Sequence, residues 1–420
     1  MANVSSSNGI EKRPKLRFES HSDASHSYWE SHTLADYLSP RVEKQVPTEE
    51  APLMAFTAEG GVEPKGDRYD RSYLVKSDNK LYKRTELGDF IYSSNNLDVG
   101  SMGLNKYGTA VISDVYEIFS IKDTAAPSFI DELIHCPNVL HKILQFRQGC
   151  LYGQYRIYAD DFLSVSVLAP SKAEQQRISD FFATLDEKIM LQRKLIEYLK
   201  KYKRGVSKKL FDEIHNDSSC AIKQFSEVFE LLQNNIFSRE CLTNELADVL
   251  NIHYGDILVK YGSVVDLNID IVPFIKPETD IRKYNRLSYL RDGDIIFADT
   301  AEDYTVGKMC EVVNVSDRKI LSGLHTMPYR PLQTFAPMYL GYYFNSAAFR
   351  EQILPMIQGA KVSSISKSEM KKTIVCIPSI ETQRKVVNAL STLDRRIKRT
   401  EMVLQELQQM KKGLLQNLFI

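Results

Sequence analysis

Two segments of this chain repeat one another without a gap. Residues 170–189 read PSKAEQQRISDFFATLDEKI and residues 378–397 read PSIETQRKVVNALSTLDRRI. A shift of 208 places Pro170 on Pro378, Gln175 on Gln383, Thr184-Leu185-Asp186 on Thr392-Leu393-Asp394 and Ile189 on Ile397. The register then holds through Gly205 with Gly413 and Leu210-Phe211 with Leu418-Phe419. An unbroken match of this length is not chance, and a repeat constrains architecture before any other signal.

Each copy reads as one long helix. A proline stands just ahead of it, and Ser171 and Ser379 are suited to cap its first turn. In the first copy Ile178, Phe182, Leu185, Ile189, Gln192, Ile196, Leu199, Lys203, Val206 and Leu210 are spaced alternately by four and three. In the second, Val386, Leu390, Leu393, Ile397, Thr400, Leu404, Leu407, Lys411, Leu414 and Leu418 repeat that spacing. A sustained stripe of this period is a coiled-coil seam. Two seam positions are polar in both copies, Gln192 with Thr400 and Lys203 with Lys411. They read either as register-fixing seam residues or, for Lys203, as a side chain turned outward while Tyr202 packs. At ~1.5 Å per residue each helix is a rod of ~60 Å. The simplest burial for each stripe is the other, packed antiparallel.

Two globular stretches of similar length alternate with the helices. Both open on an apolar-polar pattern, Thr33–Leu38 and Gln224–Phe229, and both carry a Gly-Asp step before a β-type run, Gly88-Asp89-Phe90-Ile91-Tyr92 and Gly293-Asp294-Ile295-Ile296-Phe297. Each then has a strand-like segment with a turn, Val111–Tyr116 and Ile320–His325, and each closes on Gln-Gly, Gln148-Gly149 and Gln358-Gly359. The organisation expected is an irregular N-terminal segment 1–32, a first head 33–169, a long helix 170–215, a second head 216–377 and a long helix 378–420. The fold class is α/β (α+β), pseudo-twofold, with two heads of divergent sequence on one scaffold.

Composition narrows the rest. The six cysteines are scattered with no CxxC pair, which argues against a zinc ribbon, a redox motif or a disulfide framework and fits a reducing cytoplasm. The start has no apolar signal region, and no run of about eighteen apolar residues exists to span a membrane.

With the repeat and the heads in place, the chain resembles the specificity (S) subunits of type I restriction-modification enzymes. The residues that carry the resemblance are Pro170, Glu174, Gln175 and Ile178, then Leu185-Asp186 with Ile189, and the Lys-rich end through Leu210-Phe211. The second copy departs once, with Thr382 where Glu is usual. The Gly-Asp steps, Ser113–Tyr116 and Ser322–His325 resemble the family's two target-recognition domains. The resemblance implies that each head reads one half of a bipartite double-stranded DNA site. It implies that the helices set the half-site spacing and dock two methyltransferase (M) subunits, to which two restriction (R) subunits add. S-adenosylmethionine, ATP and Mg would then bind partner subunits, with no cofactor, metal or catalytic residue on this chain. The alternatives are the specificity subunit of a related, type II-like restriction system and a non-enzymatic coiled-coil scaffold.

The residues agree on catalysis. No GxxxxGK[ST] loop, Asn/Asp-Pro-Pro-aromatic motif, GxSxG or HExxH is present. Base readout takes polar side chains presented from loops. In the first head the candidates are Ser94, Asn95, Asn96, Asn105, Lys106 and Tyr107, with Gln154 and Arg156 as a second group. In the second they are Asp303, Tyr304, Lys308, Ser322 and His325, with Lys361 and Ser363 in the loop matching the other. Each of these loops reads equally as an ordinary solvated turn.

The formal net charge is zero, which naively counts against a polyanion partner. The total conceals a pattern. Residues 1–32 balance at four of each sign; residues 33–170 hold 14 basic against 19 acidic, residues 171–212 hold 11 against 6, residues 213–378 hold 17 against 21, and residues 379–420 hold 8 against 4. Two basic helices are joined to two mildly acidic heads.

Overall fold

The structure is a computed structural model and describes residues 16–18, 29–57, 61–64, 80–94, 101–151, 154–359 and 362–419. The chain divides into two units, residues 1–193 with 402–420 and residues 194–401. The division cuts both long helices, so each unit is one head plus a stretch of each helix.

The first long helix runs Lys172–Asn216 and the second Ile380–Leu418. Ser379 Oγ accepts the Thr382 amide at 3.2 Å and Ser171 Oγ accepts that of Glu174 at 3.5 Å, so both serines cap as expected. The seam is the inward face. In the first unit Ile178, Phe182, Leu185 and Ile189 share one core with Leu404, Leu407, Leu414 and Leu418. In the second, Val206, Leu210 and Phe211 share a core with Val386 and Leu390. Ile196, Leu199 and Ile397 are buried and Leu393 half-buried.

The two lysines on the seam explain themselves within their own units. Lys203 Nζ pairs with Asp394, and Lys411 Nζ pairs with Asp186 at 2.9 Å. Under the shift of 208, Lys203 is the counterpart of Lys411 and Asp186 of Asp394. Each bridge therefore repeats the other, and both lie along antiparallel helices. Lys203 does not turn away while Tyr202 packs: Tyr202 is the exposed residue of the two. Each lysine also meets its head. Lys411 reaches Glu132 at 2.8 Å, and Lys203 lies over the Tyr342 ring while the Tyr342 hydroxyl donates to Asp394 at 2.8 Å.

The heads follow one plan. A four-residue antiparallel ladder brings the start and end of each head together at the helix: Glu30–Thr33 with Ser166–Ala169, and Ala221–Gln224 with Ile374–Ile377. The main sheet of the first unit runs in the order Leu38–Pro40, Tyr116–Ile121, Phe90–Ser93, Met102–Leu104, all antiparallel. That of the second runs Phe229–Leu231, Thr326–Pro331, Ile295–Ala298, Met309–Val313, with a fifth strand, Val264–Asp266, added in parallel. Strand Ile295–Ala298 is buried along its whole length, so it reads as a continuous apolar run. Two short helices pack on each sheet, Pro127–His135 and Pro137–Leu144 in the first unit, Tyr339–Phe344 and Ala347–Ile353 in the second. Proline opens both helices of the first pair, where its missing N–H costs nothing.

The motif residues turn out to be fasteners. Gln175 and Gln383 are each 1% exposed. Gln175 accepts the Ala126 amide at 3.1 Å and donates to Pro170 O at 3.0 Å; Gln383 accepts the Ala336 amide at 2.8 Å and donates to Pro378 O at 2.9 Å. Each glutamine bolts its head to the first turn of a long helix. Glu174 holds the N-terminal segment through Arg17, at 2.9 and 2.8 Å. Thr382, at the matching place, instead shares its hydroxyl with Ser379 at 3.1 Å. The Gly-Asp steps are turns with the aspartate buried. Asp89 accepts the Glu86 amide and an Arg41 fork, and Asp294 accepts the Arg291 amide and an Arg330 fork.

Candidate nucleic-acid interface

In both heads, three loops meet at the same end of the central strand of the main sheet. In the first unit the Ser94 amide donates to Val115 O at 3.3 Å, and the Ile157 amide donates to Ser94 O at 3.2 Å. In the second the Asp299 amide donates to His325 O at 3.1 Å, and the Ile365 amide donates to Asp299 O at 2.9 Å. So the end of the strand, the turn between two strands of different sheets (113–115 or 322–325) and the arm after Gln-Gly (148–156 or 358–364) form one edge in each head.

On the first edge the arm is a short hairpin, Gln148–Leu151 with Gln154–Arg156. Arg156 lies over the Tyr158 ring at 4.9 Å and 3.6 Å from Glu117, while Arg147 lies over Tyr155 at 5.7 Å. The two arginines and the two tyrosines are exposed. They form a cation-aromatic strip of the kind that meets bases by stacking and phosphates by charge. Arg147 and Tyr158 escaped the sequence reading; the basic-aromatic alternation 155–158 was the available signal.

On the second edge, Thr300-Ala301 pairs with Ser363-Ser364, which sets Ser363 beside the 299–305 loop. Gln358 exchanges two backbone hydrogen bonds with Ser364, at 2.9 and 2.8 Å. Gly359 has φ +110, and a Cβ there would fall 2.0 Å from Val362 O, so only glycine fits. Tyr304 is 84% exposed at the loop tip, and Arg350 donates to the Tyr304 and Val306 carbonyls from below. The Asp303 carboxylate accepts the Thr305 hydroxyl and amide, which hold its pKa below the usual carboxylate range. His325 closes the edge against Asp299 and Tyr254. Arg239, bridged to Asp256 at 2.9 Å at the start of the same short helix as Tyr254, is half exposed. Asp299, Tyr254 and Arg239 were not legible as site residues, since nothing local in the sequence connects them with His325.

Several sequence candidates are corrected. Ser94 is buried, its hydroxyl donating to Val115 O at 3.1 Å. Asn105 is buried and spent within its own turn: its oxygen takes the Tyr107 and Gly108 amides, and its nitrogen donates to Thr85 and Gly108 O. Ser322 is buried against Thr326 at 2.7 Å. Lys308 donates to the Leu258 and Tyr261 carbonyls, at 2.8 and 3.0 Å, and burial pushes its pKa down. None of these four side chains is presented for contact. Lys106 and Tyr107 are exposed, but their turn lies beside Asp89, at the opposite end of the strand from Ser94. The structure therefore does not join these two candidate groups. Asn95, Asn96 and Lys361 lie outside the described residues, as does the side chain of Gln154. Among the described residues no three His, Cys, Asp or Glu side chains gather as a metal site, and no helix is long and apolar enough to cross a membrane.

The family description "Type I restriction modification DNA specificity domain" matches residues 223–409. Residues 223–409 are therefore similar to a type I restriction-modification DNA specificity domain. This stretch holds nearly all of the second head and most of the second long helix. A protein named for the specificity subunit of the type I restriction enzyme MjaX, from Methanocaldococcus jannaschii, is 22% identical over 207 residues, covering 47% of this chain and 45% of that protein. The chain thus matches somewhat less than half the length of that relative. The fold extends the likeness over the rest. The S subunit of a type I restriction-modification system from M. genitalium aligns at TM-score 0.54 and 15% identity, covering 97% of this chain and 99% of its own. A structure described for complex assembly and conformational transition of the type I system aligns at TM-score 0.56 and 14% identity, over 92% and 96%. The chain as a whole has the fold of a specificity subunit: two heads alternating with two long, paired helices.

Proposed function

We propose that this chain is the DNA-recognition subunit of a type I restriction-modification complex. Each head reads one half of a bipartite double-stranded site, and the long helices set the half-site spacing. The helices also dock two methyltransferase subunits, and two restriction subunits join that assembly. The chain itself performs no bond chemistry; S-adenosylmethionine, ATP and Mg belong to the partners, and the complex works in the cytoplasm. The observation that carries this reading is the duplication with divergence. One plan of head and fastening glutamine occurs twice, while beyond the shared Gln-Gly step the exposed side chains described on the two edges differ, Arg147, Tyr155, Arg156 and Tyr158 on one and Tyr304, His325 and Arg239 on the other, as reading two different sequences requires.

Methylome sequencing with and without the gene tests it. Loss of adenine methylation at one two-part motif is expected when the gene is deleted. An unchanged methylome in cells that express the partner genes overturns the reading.

A further inference from the structure

The turn 322–326 is fixed from every side. The Asn235 amide donates to Ser322 O at 2.7 Å, and the Gly323 amide donates to Ile252 O at 2.8 Å. Ser322 and Thr326 share a hydrogen bond at 2.7 Å, and Thr326 also donates to Gly323 O. A Cβ at Gly323 would fall 2.7 Å from Ile252 O. At the tip of this rigid turn sits a histidine, not a glycine, with φ +52. The left-handed region costs a side-chain-bearing residue energy, and such strain persists where surrounding structure imposes it, typically at functional positions. Burial does not impose this conformation, because the His325 side chain is 48% exposed. Its ring is nevertheless held: Nδ1 lies 3.4 Å from Asp299 Oδ1, and the Tyr254 ring meets it edge-on at 5.3 Å. The Asp299 carboxylate is itself pinned by the Thr300 hydroxyl at 2.8 Å. With Nδ1 on the side of the carboxylate, Nε2 lies on the opposite edge of the ring.

We propose that His325 is a base-reading residue of the second half-site and that Asp299 is its positioning residue, setting which imidazole nitrogen faces the base edge. This rests on the DNA-recognition reading above. An imidazole nitrogen presented at a fixed place on a rigid turn can meet one hydrogen-bonding group of a base edge, which is where sequence is read. A phosphate contact, by contrast, would not need the strained presentation of one ring edge.

The test is methylome sequencing and binding by the complete complex carrying His325→Gly or Asp299→Asn. Glycine suits φ +52, so the His325→Gly chain should fold and assemble with an unchanged or raised melting temperature. It is expected to accept other bases at one position of one half-site, with selectivity there falling roughly tenfold or more and the other half-site unaffected. Asp299→Asn is expected to relax the same position and no other. An unchanged motif for His325→Gly overturns the proposal, and so does a uniform loss of affinity across all sequences, which marks a phosphate contact. Absence of any two-part methylation with the wild-type complex would instead overturn the recognition reading beneath it.

Discussion

Glu311 is 1% exposed, on a central strand of the second sheet. Its carboxyl accepts the Met338 amide at 2.6 Å and the Gly341 amide at 2.9 Å, holding the start of the Tyr339–Phe344 helix against the sheet. Met338 sits at φ +71 to make that approach. A Cβ on Gly341 would fall 2.2 Å from Ser263 O, so this contact needs glycine. Burial outweighs the amide hydrogen bonds and pushes the Glu311 pKa up from 4.5 to about 7. A carboxyl that binds its proton more tightly folded than unfolded stabilises the fold at low pH. That contribution is lost as pH climbs from about 4.5 through about 7. Denaturant unfolding of wild type and Glu311→Gln at pH 5 and pH 8 checks this. The wild type should lose stability relative to Glu311→Gln between the two, and parallel behaviour would contradict it.

The helices show what a repeated element adds. The two Lys–Asp bridges are counterparts under the 208-residue shift, and each ties one helix to the other within its unit while meeting a head residue, Glu132 or Tyr342. A polar residue on a seam specifies register at some cost in stability, and here the register it specifies is antiparallel. These ammonium groups are partly solvated, so each bridge is worth only about 0.5–1 kcal/mol. Double-mutant cycles, Lys203→Ala with Asp394→Ala and Lys411→Ala with Asp186→Ala, should each return a coupling of that size. A coupling indistinguishable from zero in both would leave the seam leucines and isoleucines alone to set the register.

For the whole molecule, on the proposed reading as a DNA-recognition subunit that works with methyltransferase subunits, the charge partition predicts behaviour on DNA. The basic excess is on the helices, and the loop edges mix Arg147, Arg156 and Arg239 with Asp299, Glu302 and Asp303. Sequence-independent grip scales with the number of phosphates neutralised, so the purified chain should bind its site weakly and with a shallow salt dependence. The complex with methyltransferase subunits should bind tightly and with a steep one; equal affinities at equal salt would contradict this. The helices, their seam, their caps and the two-headed order were all legible in the sequence, because helical period and repeat register are one-dimensional properties of a chain. The strands after Gly88-Asp89 and Gly293-Asp294 were legible for the same reason. The candidate contacts were not: a polar loop residue looks the same whether its hydroxyl, amide or ammonium faces water or is spent on a distant carbonyl. Only the tertiary structure buried Asn105, Ser322 and Lys308, separated Lys106 from Ser94, and brought Asp299 and Tyr254 around His325. Those outcomes depend on hydrogen bonds between residues that are near in space but remote along the chain.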